Sequence, residues 1–126
     1  MAKRRVRPYG GIVSTLTDAL SAIAKAQEAE AVVIDRQEQA ARARGISLQR
    51  LAEAFRKAAA LADDTTTRER FEVYVRQSDR EADAAFRQER VHAAEASRAR
   101  VQAETSRERG AAQTARARQL RNPRRH

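Results

Sequence analysis

Wherever apolar positions recur along this chain they do so at three- and four-residue spacing, the period of a helix that packs one face. Ile12, Leu16, Ala19, Leu20, Ile23, Ala26 and Val33 trace a first stripe, which thins where Glu30 and Gln37 would continue it. Leu48, Leu51, Ala52, Phe55, Ala58, Ala59 and Ala62 trace a second, the cleanest of the chain. A third begins with Phe71, Tyr74, Val75, Ser78, Ala82, Ala85 and Phe86, after which only Val91, Val101 and alanines interrupt a polar surface. The β-branched run Val32-Val33-Ile34 has strand character, but no second strand exists for it to pair with.

Punctuation between the stripes is sparse: Pro8, Gly10, Gly11, Gly45, Gly110 and Pro123. Gly45 follows the first stripe as a C′ residue would, Ser14, Thr15 and Thr17 are caps for its start, and Gly45-Ile46 leaves room only for a tight reversal. Asp63-Asp64 reads as a stop, and Thr66 with Glu69 matches a capping box that opens another helix. The expected fold is therefore all-α. It is an elongated helical hairpin over about 14–44 and 47–62, followed by a long third helix over about 67–109 or beyond, with basic terminal arms. In domain terms this gives an N-terminal arm at 1–11, a hairpin at 12–64, a charged helix at 65–109 and a C-terminal arm at 110–126. Leu16, Leu20, Ile23, Leu48, Leu51, Phe55, Phe71 and Val75 form its expected protein-contact face.

Composition limits how much such helices can bury. Aromatic residues make up 4% of the 126, and 28 alanines supply more than half of the hydrophobic fraction, so each buried side chain contributes little area. In the third helix a seven-residue seam of Phe71, Val75, Ser78, Ala82, Ala85, Glu89, His92, Ala96, Ala99 and Ala103 is small and polar, too weak for an autonomous coiled-coil dimer. Pairs such as Glu72 with Arg76 and Asp83 with Arg87 support the helix as a solvated rod by about 0.2–0.5 kcal/mol each. Stability then has to come from partners, which predicts a homo-oligomer or a component of a larger assembly.

The formal charge of +9 is not spread evenly. Residues 1–11 carry Lys3, Arg4, Arg5 and Arg7 with no acid, and residues 109–126 carry Arg109, Arg116, Arg118, Arg121, Arg124 and Arg125 with none. Residues 12–108 balance 16 cations against 17 acids. Arginine grips phosphate through a planar fork of donors and keeps its charge, so these ten side chains are candidates for sequence-independent binding of nucleic-acid phosphates. An acidic protein surface is the competing partner, and an anionic membrane ranks third. Only Tyr9 lies near the arms, too little for a platform that stacks single-stranded bases.

No motif points to catalysis. Cysteine is absent, no glycine-rich phosphate loop occurs, and Ser, His and Asp form no triad-like grouping. Glu89 and His92 have the Glu-x-x-His spacing of di-iron bundles, but the remaining carboxylates and second copy that such a site requires are missing, so they read as a surface pair. Neither metal nor cofactor is expected. No apolar run approaches the roughly 20 residues of a membrane span, and the basic start lacks a signal-peptide apolar region, so the chain reads as soluble and unexported, in the cytoplasm or inside a nucleoprotein particle. Ala41, Gly45, Ile46 and Leu51 fall where a helix-turn-helix places its packing residues, although Arg44 occupies a position that should be apolar. The leading expectation is a non-enzymatic structural or assembly protein of a nucleoprotein or virion-like complex. The alternative is a small DNA-binding regulator that reads sequence through residues 37–55.

Overall fold

A computed structural model describes the backbone of residues 8–121 and the side chains of residues 15–121. It contains two helices, α1 over Pro8–Leu61 and α2 over Thr65–Arg121, folded as an antiparallel hairpin. The all-α expectation holds, but the three-helix arrangement does not. What sequence presented as two helices at 14–44 and 47–62 is one continuous α1, and the reversal falls at residues 62–64, not at Gly45-Ile46.

Gly45 accounts for the difference. No glycine among the described residues has a positive φ, so Gly45 does not adopt the left-handed conformation of a helix terminator. It stays helical and faces α2: a Cβ built there would lie 2.7 Å from Cε1 of Phe86 and 2.8 Å from its Cζ. The missing side chain makes room for an aromatic ring. Pro8 is acceptable in the first turn of α1, where its absent N–H has no intrahelical partner to lose. α2 likewise continues through Gly110, so the stretch expected as an arm from residue 110 onward is helical as far as Arg121.

The reversal is capped by Asp64 rather than by the expected Thr66–Glu69 box. Asp64 Oδ1 accepts the backbone N–H of Thr67 at 2.6 Å, and its Oδ2 accepts the Thr67 hydroxyl at 2.9 Å. The first helical bond of α2 then runs from Arg68 N–H to the Asp64 carbonyl at 3.1 Å. These bonds hold the Asp64 carboxyl below its ordinary value near 3.8, the backbone N–H of Thr67 being the largest cause.

Small residues line the contact between the helices. On α1, Ala24, Ala31, Gly45, Ala52 and Ala59 are buried at seven-residue multiples, with Glu38 in the remaining slot half-buried. α2 buries Ser78, Ala82, Ala85, Ala96, Ala99, Ala103, Ser106 and Gly110 along the seven-residue seam visible in its sequence. Nine of the ten buried apolar side chains among the described residues are alanine, the tenth is Ile34, and no large side chain is fully buried. Methyl groups and glycines let two backbones approach closely, and that choice pushes the larger apolar residues to the flanks.

The hairpin divides into two compact units. One comprises residues 33–96 and contains the reversal; the other comprises 1–32 with 97–126 and contains the first helical residue of α1 and the last of α2. The turn unit is held by the Gly45–Phe86 notch, by the rings of Phe55, Phe71 and Tyr74 with centroids 5.2–6.5 Å apart, and by an ion pair of 2.7 Å from Arg56 to Asp79. In the unit of the two ends, the Ser106 hydroxyl donates to Gln27 Oε1 at 3.0 Å, and Arg107 pairs with Glu28.

Candidate functional site: a cationic unit and two exposed flanks

The described residues divide charge unevenly between the two units. Residues 33–96 hold 12 basic and 12 acidic side chains, whereas residues 8–32 with 97–121 hold eight basic and five acidic. Among the described residues the net excess, +3, therefore falls in the unit that contains Pro8 and Arg121.

Of the ten candidate phosphate-binding residues, Arg109, Arg116, Arg118 and Arg121 lie on α2 with exposed side chains. Arg109 and Arg116 are one heptad apart and share a face; Arg118 and Arg121 are neighbours at three-residue spacing. The helical frame fixes where these four side chains leave the backbone, and Arg118 and Arg121 occupy the last turn of α2, where the helix dipole favours cations. Lys3, Arg4, Arg5, Arg7, Arg124 and Arg125 fall outside the described residues. In the same unit a groove of about 440 Å³ is lined by Glu28, Ala31, Val32, Arg100, Ala103, Glu104 and Arg107. Carboxylates alternate with guanidinium groups along it, so it offers an anion no concentrated positive wall.

The proposed protein-contact residues divide between buried and open positions. Leu20, Leu48, Phe55, Phe71 and Val75 are half-buried, while Leu16, Ile23 and Leu51 are 45%, 46% and 44% exposed. The first stripe read from sequence is thus rotated relative to the face that packs: Ala24, Ala31 and Ile34 turn inward, and Leu16, Ile23, Ala26 and Val33 stand at the surface. Size directed the sequence reading, whereas smallness selects the seam. Sequence periodicity at seven residues on α1 would have revealed it.

Glu89 and His92 are half-buried members of the α2 seam, not a surface pair. His92 Nδ1 is enclosed without a hydrogen bond, with a carboxylate oxygen of Glu95 at 3.7 Å, and its Nε2 lies 3.5 Å from the Gln88 amide. Among the described residues no group of three or more His, Asp or Glu side chains is placed to hold a metal ion. A groove of about 410 Å³ in the turn unit is lined by Arg56, Ala59, Ala60, Arg68, Glu72, Val75 and Arg76. Arg56 is committed there to Asp79 at 2.7 Å and Glu53 at 3.5 Å, and Arg68 donates to the Ala62 carbonyl at 3.4 Å.

Residues 37–55 lie entirely within α1, so the turn that a helix-turn-helix requires is absent there. Among the described residues no helix is long and apolar enough to cross a membrane. Comparison with protein families, with curated proteins and with solved structures finds no match for this chain.

Proposed function

We propose that this is a non-enzymatic assembly protein whose helical body makes protein contacts and whose cationic unit holds the phosphate backbone of nucleic acid. One observation supports the reading: among the described residues the turn unit balances its charge, the other unit holds eight cations against five acids, and the sequence adds six further cations in the segments 1–7 and 122–126. Segregated charge of this kind attracts a polyanion without sequence preference, and arginine supplies nearly all of it. The uninterrupted α1 gives residues 37–55 no turn, which favours this reading over a regulator that reads sequence there.

The test is duplex binding across a salt series, comparing the full chain with a variant in which Arg109, Arg116, Arg118 and Arg121 are all replaced by glutamine. Random and defined duplexes should bind the native chain equally. The log–log salt slope should fall in the variant by up to about 0.9 for each phosphate contact removed. An unchanged slope, or affinity for an acidic polypeptide that survives where duplex binding does not, would transfer the role to an acidic protein surface.

A further inference from the structure

We infer that the turn unit carries a docking strip for a partner helix whose apolar stripe is bordered by carboxylates, a role that presupposes the protein contacts proposed above and specifies their chemistry. From Ser47 to Ala62, α1 presents two apolar rows rather than one. The first, Leu48, Ala52, Phe55, Ala59 and Ala62, is buried or half-buried and faces the hairpin contact. The second, Leu51, Ala54, Ala58 and Leu61, occupies the adjoining face; Leu51 is 44% exposed and Leu61 81%. Neither row contains a charged residue. A single neighbouring helix covers one seven-residue stripe, so an apolar face this wide is built for two neighbours, and α2 is only one of them.

α2 extends the open row with Tyr74, 46% exposed, whose ring lies 5.2 Å from that of Phe55. Leu51 sits one turn before Phe55 on the same side, so leucine and tyrosine flank an aromatic floor. A half-exposed tyrosine is a usual anchor of a protein interface, and the leucines beside it make the patch contiguously apolar.

Charge around the strip selects the occupant. Arg50, Lys57 and Arg70 stand four residues before Ala54, Leu61 and Tyr74, a spacing that places each at the edge of the open row, and their side chains lean along it toward the preceding turn. Against these three cations the border holds Glu81, one heptad beyond Tyr74. Among the described residues Arg50, Lys57 and Arg70 take part in no ion pair. A second copy docked through the same strip would set cations against cations, and nucleic acid has no use for the leucines. An amphipathic helix with aspartate or glutamate beside its apolar stripe satisfies both features.

The experiment uses the full-length chain and two synthetic helical peptides about three heptads long. Both carry leucine at three-four spacing, one flanked by glutamate and the other by lysine. Binding is followed by peptide anisotropy and by the Tyr74 ring resonances in NMR. The glutamate peptide should bind and shift Tyr74. Leu51→Ser should weaken it at least about tenfold without changing helix content or duplex affinity. Reversing Arg50 and Lys57 to glutamate should exchange the preference between the peptides. Equal affinity for both peptides, or glutamate-peptide binding that ignores Leu51, would overturn the inference, the latter assigning the binding to the cationic unit. A native dimer in sedimentation that Leu51→Ser converts to monomer would also overturn it, leaving protein contact intact but with a second copy as occupant. Failure to bind either peptide, in a chain that stays monomeric, would remove the protein-contact role itself.

Discussion

Two glycines in helix interiors carry opposite consequences. A Cβ at Gly110 would meet only Leu20 Cβ at 3.8 Å, an ordinary contact, so Gly110→Ala gains helix propensity and should raise stability by about 0.5–1 kcal/mol. At Gly45 the same methyl would sit 2.7 Å from the Phe86 ring, and the overpacking, about 1–3 kcal/mol, offsets or exceeds the propensity gain. Urea unfolding should rank Gly45→Ala below Gly110→Ala by at least about 1 kcal/mol, and adding Phe86→Ala should close most of the gap. Asp64 supplies a pH dependence. Its carboxyl is held below 3.8 in the fold, chiefly by the Thr67 N–H, so its contribution is present above the unfolded value and disappears as pH falls through the lower folded one. Asp64→Ala should therefore lower the melting temperature at neutral pH, and the difference from the native chain should vanish in strong acid. The role of Asp64 was not legible from sequence because Thr66 and Glu69 offered an equally good box; which cap forms depends on where α1 stops.

At the level of the helix, the seven-residue pattern of α2 was readable, from Phe71 and Val75 through Ala82, Ala96 and Ala103, but its partner was not. Such a seam is weak for two free chains. Within one chain the reversal at 62–64 supplies the second strand of the seam at no translational cost, which makes alanine sufficient. The break misplaced at Gly45 has a physical origin: a glycine that ends a helix and one that admits a ring look identical until Phe86 is known to face it. Because backbone approach depends on methyl groups, enlargement should be more harmful here than in a leucine core. Ala52→Leu or Ala96→Leu, both at buried positions, should cost about 1–3 kcal/mol or more by denaturant unfolding, with helix content retained. Ala54→Leu, on the open row, should be nearly neutral in the same measurement.

For the molecule as a whole, sequence made the cationic segments visible but not that the first turns of α1 and the last of α2 share one unit, since that depends on the number of reversals between them. Among the described residues there is a single reversal. An excess of cations over acids in one unit, eight against five among the described residues, carries an electrostatic cost in the unbound state. Replacing Arg109, Arg116, Arg118 and Arg121 by glutamine, which should flatten the salt slope for duplex binding, should thus also raise the melting temperature at low salt. The gain should shrink as the Debye length falls from about 30 Å at 0.01 M to about 8 Å at 0.15 M.

The shared unit of the first and last helical residues also governs where the protein tolerates handling. Leu16 on α1 and Leu120 on α2 are exposed and belong to one unit, so two reporters placed there, remote in sequence, probe one compact body. The short connection at 62–64 belongs to the other unit, so cargo inserted there meets a neighbourhood of balanced charge.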